Sequence, residues 1–123
     1  MKKILVVDDE ESIRVLIKEA LENDEYEFVE ANDGDAALKL VSNNKFDLVI
    51  TDIVMPKKNG IDLIIGMSKV KSDTPIIAIS GGGGITGRFE YLPIAKLVGA
   101  IYIIEKPFEI SSLRETIELA LAS

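Results

Sequence analysis

The 123-residue chain contains no cysteine and no histidine. Without cysteine it can form neither a disulfide nor a thiolate metal site. Without histidine it has no imidazole metal ligand, no histidine general base and no phosphohistidine of its own. Any chemistry in this chain must therefore come from other groups.

Long apolar runs and an excess of basic charge are also missing. No apolar run approaches the roughly 18 residues of a membrane span. Met1–Ile4 lead directly into a strand-like run that ends in acids, unlike a signal peptide. The formal net charge of −7, from 21 acidic and 14 basic residues, argues against a basic face for nucleic acid or anionic lipid. We therefore expect a cytoplasmic protein with no nucleic acid and no membrane among its partners.

The length of the chain suits one folded domain. With 47% hydrophobic residues the chain should be globular, and 123 residues suffice for one hydrophobic core. We expect a single domain over residues 1–123, with no room for a DNA-binding or enzymatic output domain.

Short apolar runs alternate with stretches of helical periodicity along the chain. The apolar runs predict five strands, at residues 4–7, 28–31, 47–51, 75–80 and 101–104. Apolar residues at helical spacing predict five helices, near residues 11–22, 36–41, 61–70, 89–98 and 110–121. This alternation is typical of an α/β fold in which helices cover both faces of a parallel sheet.

Acidic side chains lie where two of the predicted strands end. Asp8 and Asp9 follow the first strand, and Asp52 follows the apolar run of the third. The carboxyl ends of parallel strands share one edge of the sheet, where open α/β folds bind their ligands. Three carboxylates at that edge repel one another unless a cation or a proton joins them.

Two further polar residues belong to the same edge. Ser80 ends the fourth strand and Lys106 follows the fifth, so a hydroxyl and an ammonium can join the carboxylates in one crevice. Further residues accompany these positions in the sequence: Met55-Pro56 and Gly60 after the third strand, and Pro107-Phe108 after Lys106.

Together these motifs resemble the receiver domain of two-component response regulators, of the stand-alone type, along the full length of the chain. The resemblance implies a flavodoxin-like, three-layer fold. Its five-stranded parallel sheet would have the order 2-1-3-4-5, as receivers do, with five helices. The resemblance also implies that Asp52 is the phosphoacceptor, which attacks phosphorus to give an aspartyl phosphate.

The same resemblance implies roles for the other residues of the crevice. Asp9 and Asp52 would bind Mg²⁺ through carboxylate oxygens, and Asp8 would do so directly or through water. The main-chain carbonyl of Val54 would complete the set of protein ligands. Lys106 would form an ion pair with the phosphoryl group, and Ser80 would donate a hydrogen bond to one of its oxygens. The Lys106–Pro107 peptide bond would be cis.

The function implied by the resemblance is signalling rather than metabolic catalysis. The chain would accept a phosphoryl group from a histidine kinase or a phosphotransfer protein in a Mg²⁺-dependent reaction, with slow self-catalysed dephosphorylation. The phosphorylated state would then bind a downstream partner differently. The chain would work as a monomer or a weak homodimer, and the sequence names neither the kinase nor the downstream partner.

Two other functions stay open on the sequence alone. A Mg²⁺-dependent phosphohydrolase can also use an aspartate nucleophile. Such enzymes commonly carry a second acid two residues after it, where this chain has Val54. The other function is a binding module that works without phosphorylation, against which the complete set of acids argues.

Single residues of the crevice also have simpler interpretations. Asp8 and Asp9 could cap the first helix, and Ser80 could merely form a turn. Gly81–Gly84 lack the lysine and hydroxyl residue that follow in a nucleotide-binding P-loop, so we interpret them as a hinge or loop.

The fifth strand departs from the pattern of many receivers, which carry an aromatic residue three positions before the lysine. That position is Ile103 here, with Tyr102 one place earlier. Strand alternation predicts that Tyr102 lies on the opposite face of the sheet from Ile103. The span from Ser80 to Lys106 is also longer than in many receivers, in the region that usually contacts partners.

Overall fold

The computed structural model describes residues 1–21, 25–53, 60–70, 73–80, 102–105 and 108–122. Five strands lie within these residues: β1 Lys2–Val7, β2 Tyr26–Ala31, β3 Leu48–Asp52, β4 Ile76–Ser80 and β5 Tyr102–Glu105. Four helices lie within them: α1 Glu11–Ala20, α2 Gly34–Asn43, α3 Gly60–Lys69 and α4 Ile110–Ala122. None of these helices is long and apolar enough to cross a membrane. The helix predicted near 89–98 and the glycines 81–84 lie outside the described residues.

All five strands are parallel and form one sheet in the order β2-β1-β3-β4-β5. The predicted strand order is therefore confirmed. Strand β1 lies between β2 and β3, so that Leu5 is opposite both Val29 and Val49. The carboxyl ends of β1, β3 and β4 consequently lie side by side at one edge of the sheet.

Hydrophobic layers cover both faces of the sheet, as the predicted three-layer architecture requires. Leu5 and Val7 of β1 pack in one layer with α2 and α3, whereas Ile4 and Val6 pack in the other layer with α1 and α4. Successive strand residues point to opposite faces, so a strand covered on both sides needs apolar residues at every position. This requirement explains the unbroken apolar runs of β1 and β3, whose apolar residues from Ile4 and Leu48 onward are buried.

The strand boundaries differ from the predicted ones by one or two residues. Strands β1 and β2 begin at Lys2 and Tyr26, because the pairing of these two residues continues the ladder beyond the apolar runs. Strand β3 extends to Asp52, which pairs with Ile79 of β4. Main-chain hydrogen bonding sets the strand ends, whereas the apolar pattern marks only the buried part of each strand.

Strand β5 places Tyr102 and Ile103 on opposite faces of the sheet. Ile103 packs against the layer that contains α2 and α3, and Tyr102 packs against the layer that contains α1 and α4. The predicted alternation is confirmed. The position that is aromatic in many receivers therefore holds a branched aliphatic side chain in this chain.

Arg114 joins the two helices that cover one face of the sheet. Its Nε and Nη2 atoms donate to the Ala20 carbonyl at 3.1 and 2.9 Å. Ala20 is the last residue of α1, where the final carbonyls lack partners within the helix. A cation at this end also interacts favourably with the helix dipole. Arg114 of α4 thus caps α1 and holds the two helices together.

Candidate functional site

Three carboxylates converge at the carboxyl edge of the sheet. Asp8 and Asp9 follow β1, and Asp52 ends the adjacent strand β3. Each of these residues offers one carboxylate oxygen, and the three oxygens lie within 4.8 Å of one another. The residues Asp8 and Asp52 are 1% and 6% exposed, whereas Asp9 is exposed. The predicted convergence is confirmed for these three acids.

The main chain around Asp52 is held by β4 and by the start of α3. The Ile53 N–H donates to the Ile79 carbonyl at 3.0 Å, and the Gly60 N–H donates to the Ile53 carbonyl at 2.8 Å. The Thr51 hydroxyl donates to the Asp52 carbonyl at 2.8 Å. A Cβ atom at Gly60 would lie only 2.3 Å from the Asp52 carbonyl oxygen. The first residue of α3 can therefore pack on the end of β3 because it has no side chain.

Asp8 is held through its amide, its carbonyl and its carboxylate. Its N–H donates to the Ala31 carbonyl at 3.1 Å, which continues the contact between β1 and β2. Its Oδ1 atom accepts a hydrogen bond from the Glu10 N–H at 2.9 Å. Its carbonyl accepts a hydrogen bond from Arg14 Nη1 at 2.6 Å. These bonds tie the turn after β1 to both β2 and α1.

The simpler interpretation of Asp8, as a residue that caps the first helix, is confirmed in part. Glu10 precedes α1 and makes no side-chain capping bond of its own, and the Asp8 carboxylate accepts the Glu10 N–H. A carboxylate has two oxygens with about four acceptor positions. Asp8 can therefore stabilise the entry into α1 and still belong to the acidic cluster.

The donor set of the cluster fits a hard divalent cation such as Mg²⁺. Mg²⁺ prefers oxygen ligands at about 2.1 Å, so ligands on opposite sides of the ion are about 4.2 Å apart. The three carboxylate oxygens all lie within 4.8 Å of one another, an upper limit near the largest ligand-to-ligand distance around one such ion. Two buried acids next to a third repel one another, and a cation between them removes this repulsion. Mg²⁺ commonly keeps several water ligands, which would complete its coordination.

The other predicted site residues are described in part or not at all. Ser80 is the last residue of β4 and pairs with Glu105, so its main chain lies at the same edge of the sheet. The side chain of Ser80 lies outside the described part of the structure. Val54, Lys106 and the Lys106–Pro107 bond predicted to be cis also lie outside the described residues.

The structure adds a charged network beside the cluster that the sequence did not predict. Arg14 Nε and Lys18 Nζ each lie 2.9 Å from a different carboxylate oxygen of Glu30. The hydrogen bond from Lys18, followed by that from Arg14, holds the pKa of Glu30 below its ordinary value of 4.5. Arg14 and Lys18 share a face of α1 because they are one helical turn apart. Glu30 lies on β2, and no local sequence pattern connects it with α1.

The strand order and the acidic edge define the class, a doubly wound α/β protein with a site for a cation at the ends of its central strands. The family described as response regulator receiver domain matches residues 4–118. The chain therefore belongs to this family, the receiver domain of two-component response regulators, and its acidic cluster fits the phosphoacceptor site of such domains. Members of the family are signalling modules rather than metabolic enzymes, and they interact with histidine kinases or phosphotransfer proteins.

Several curated proteins are similar in sequence. The chain is 29% identical to sporulation initiation phosphotransferase F of Bacillus subtilis, over 95% of this chain and 91% of that protein. It is 34% identical to the DNA-binding transcriptional regulator NtrC of Azospirillum brasilense, over 98% of this chain. It is 37% identical to the transcriptional regulatory protein CpxR of Escherichia coli, over 88% of this chain. The chain spans 24% of that NtrC and 44% of that CpxR, so their names describe longer proteins.

Solved receiver structures share the fold. A response regulator receiver domain protein from Clostridium thermocellum has a TM-score of 0.86 and 31% identity, covering 99% of this chain and 95% of that one. The chemotaxis protein CheY4 of Vibrio cholerae has a TM-score of 0.80 and 30% identity, covering 98% of each chain. The similarity extends over nearly the whole chain and agrees with the strand order described above.

Proposed function

We propose that Asp52 accepts a phosphoryl group in a Mg²⁺-dependent reaction and that phosphorylation changes the affinity of the chain for a downstream partner. The observation that carries this proposal is the convergence of three carboxylates, with Asp52 almost fully buried at the end of the central strand β3. The family match favours this function over the phosphohydrolase and the phosphorylation-independent module considered from the sequence.

The reaction would be a direct displacement at phosphorus. A carboxylate oxygen of Asp52 forms a bond to phosphorus while the bond between phosphorus and an imidazole nitrogen of a donor phosphohistidine breaks. The nitrogen keeps the electron pair of that bond and takes a proton from solvent if it leaves unprotonated. When bound, Mg²⁺ supplies positive charge that offsets the charge of the acids and of the phosphoryl oxygens. The main-chain packing around Asp52 contributes a fixed position for the attacking oxygen.

The remaining residues would stabilise charge around the transferred group. Asp8 and Asp9 would hold the cation together with Asp52, and the Val54 carbonyl would add a further oxygen ligand. Lys106 would pair with the phosphoryl oxygens, and the Ser80 hydroxyl would donate a hydrogen bond to one of them. The position of these residues in the motifs of the family supports the assignment, as does the position of the Ser80 main chain at the end of β4.

The donor would be a histidine kinase or a phosphotransfer protein, in keeping with the family and with the phosphotransferase among the similar proteins. Residues 1–123 would form one receiver domain, which the family match over residues 4–118 supports. We further propose that the chain works in the cytoplasm as a monomer or a weak homodimer. The downstream partner would be a protein, since the net charge of −7 disfavours binding to nucleic acid or to anionic membranes.

The test is phosphorylation by a small-molecule phosphodonor, followed by intact-mass measurement with and without Mg²⁺. We expect the wild-type chain to gain one phosphoryl group in the presence of Mg²⁺ and far less after chelation. Asp52→Ala should gain none, because the attacking oxygen is missing. Asp73→Asn is the matched control, since Asp73 is an exposed acid at the opposite end of the sheet, just before β4.

Two results would count against the proposal. A wild-type chain that gains no phosphoryl group would remove the phosphoacceptor function. A phosphoryl group that Asp52→Ala still acquires would assign the acceptor to another residue. Turnover of a phosphate ester far beyond one equivalent of the protein would instead favour the phosphohydrolase.

A further inference from the structure

Arg14 contacts the peptide group that joins two acids of the cluster. Its Nη1 atom donates to the Asp8 carbonyl at 2.6 Å, a short distance typical of a hydrogen bond from a charged donor. That carbonyl belongs to the planar peptide unit between Asp8 and Asp9. The direction of the carbonyl therefore influences the directions in which both acidic side chains leave the main chain.

The guanidinium of Arg14 is itself held by a second contact. Its Nε atom donates to Glu30 Oε1 at 2.9 Å, and the other Glu30 oxygen accepts from Lys18. The Arg14 side chain is 15% exposed, so the contact is largely screened from water. The guanidinium is planar with its donors in a rigid fork, and a partner on Nε therefore also orients Nη1. The group thus links α1, β2 and the turn that carries the acids.

We propose that Arg14 is a positioning residue for the cation site, which orients the Asp8–Asp9 peptide so that both carboxylates reach one Mg²⁺. The inference rests on the proposed function, because it assumes that the acidic cluster binds this ion. The bonds of Asp8 to Ala31 and Glu10 hold its amide and its carboxylate, and Arg14 holds its carbonyl. Arg14 would act through the Asp8 carbonyl rather than by contact with the cation or the reacting atoms.

A positioning role and a purely electrostatic role predict opposite effects on Mg²⁺ binding. Arg14 carries a positive charge near a site for a cation, so its charge alone opposes binding and its removal would strengthen binding. If Arg14 orients the acids, its removal weakens binding. Residues that orient metal ligands typically change metal affinity or activity by about 10–100-fold when they are substituted. The sign of the change therefore separates the two roles.

The test is the Mg²⁺ dissociation constant of the full chain, measured by isothermal titration calorimetry. Arg14→Met keeps the apolar stem of the side chain and removes the guanidinium. We expect its dissociation constant to rise about tenfold, the low end of the range for residues that orient metal ligands. A dissociation constant equal to or below the wild-type value would overturn the proposal.

Lys18→Met is the matched control for charge. Lys18 lies on the same face of α1 and binds the same Glu30 carboxylate, and its ammonium makes no hydrogen bond to Asp8 within the described residues. Lys18→Met removes one positive charge, as Arg14→Met does, but leaves the contact to Asp8 intact. Its Mg²⁺ binding should therefore be unchanged or slightly tighter than that of the wild type. If Arg14→Met does not fold, Arg14→Lys decides. Arg14→Lys keeps the positive charge but lacks the forked donors of the guanidinium. Weaker Mg²⁺ binding by this variant would support the positioning role, and unchanged Mg²⁺ binding would overturn it.

Amide hydrogen exchange without Mg²⁺ separates this proposal from the proposed function. A wild-type chain that binds no Mg²⁺ would contradict the proposed function. The contact between Arg14 and the Asp8 carbonyl can still be tested in that case, because hydrogen exchange is measured without the metal. The Asp8 and Glu10 amides are protected by their bonds to the Ala31 carbonyl and the Asp8 carboxylate. Both should exchange faster in Arg14→Met than in Lys18→Met. Equal exchange in the two variants would overturn the positioning role.

Discussion

The two sides of the acidic cluster are held in place by different means. On the β3 side, the main chain at Asp52 is closely packed, with Gly60 directly against the Asp52 carbonyl. On the β1 side, the Asp8 carbonyl is held by the side chain of Arg14, which in turn depends on Glu30. The Asp52 residue is 6% exposed, whereas the Glu30 side chain is 35% exposed. Close main-chain packing therefore acts on one side, and charge near solvent contributes to the other.

This difference predicts which perturbations reach each side of the site. An added methyl group disturbs close main-chain packing at any pH and any salt concentration. Charged hydrogen bonds near the surface weaken when a partner is protonated or when salt screens the charges. The β3 side should thus respond to small changes in volume, and the β1 side should respond to changes in charge.

Gly60→Ala is expected to have the largest effect on stability. Its Cβ would lie 2.3 Å from the Asp52 carbonyl oxygen and 2.8 Å from the Ile53 Cα, and main-chain atoms cannot move aside without shifting β3 or α3. We expect a loss of about 3 kcal/mol in the free energy of unfolding. Urea unfolding followed by circular dichroism measures it. Phosphorylation should fall as well, because the packing contact is with the residue that carries the proposed nucleophile.

Gly66→Ala is the matched control for this change, since Gly66 also lies in α3. Its Cβ would meet the tips of the Leu38 side chain at 3.0 Å, and a flexible side chain can move by a few tenths of an ångström. Alanine also favours a helix over glycine by about 1 kcal/mol. The two effects oppose each other, so the net change should stay below about 1 kcal/mol. An equal loss in both variants would contradict the special role of packing at the end of β3.

Arg114→Met tests a charged contact that lies away from the cluster. Arg114 caps α1 by two hydrogen bonds to the Ala20 carbonyl, at the opposite end of α1 from the cluster. We expect a loss of about 1 kcal/mol in the free energy of unfolding, the typical net contribution of a hydrogen bond. The Mg²⁺ dissociation constant should not change. A change as large as that expected for Arg14→Met would show that general destabilisation, rather than orientation of the acids, weakens Mg²⁺ binding.

Much of the fold and the acidic convergence could be predicted because buried parallel strands leave a strong sequence pattern. Strands β1 and β3 are apolar at successive positions, and each is followed or ended by an acid. Since parallel strands share their carboxyl edge, this local pattern is enough to predict that Asp8, Asp9 and Asp52 lie close together. The face occupied by Tyr102 also followed from alternation, which depends only on neighbouring residues.

The contacts that hold the acids could not be predicted in the same way. Arg14 and Glu30 meet because α1 and β2 both lie next to β1, and their pairing depends on side-chain directions in three dimensions. The motif that contains Gly60 is visible in the sequence, but its close approach to Asp52 depends on how α3 packs on the end of β3. A short sequence pattern carries no information about either geometry.

Glu30→Gln should have the smallest effect and tests whether the β1 side depends on pH. The fold lowers the pKa of Glu30, chiefly through Lys18 and then through Arg14, and therefore favours its charged form. This contribution to stability is complete above the unfolded-state pKa of about 4.5 and is lost as the pH falls through the lower folded-state value. At neutral pH we expect Glu30→Gln to lose less than about 1 kcal/mol in the free energy of unfolding. The difference from the wild type should shrink steadily as the pH falls below about 4.5.

Urea unfolding of both proteins without Mg²⁺, from neutral pH into acid and at low and high salt, measures this dependence. Glu27→Gln is the matched control, because Glu27 is an exposed acid on the same strand that makes no ion pair within the described ranges. Glu27→Gln should have the same free energy of unfolding as the wild type at neutral pH, and this equality should persist in acid. If Glu30→Gln loses as much unfolding free energy in acid and in high salt as at neutral pH and low salt, then packing rather than charge stabilises the β1 side as well. The contrast between the two sides of the cluster would then disappear.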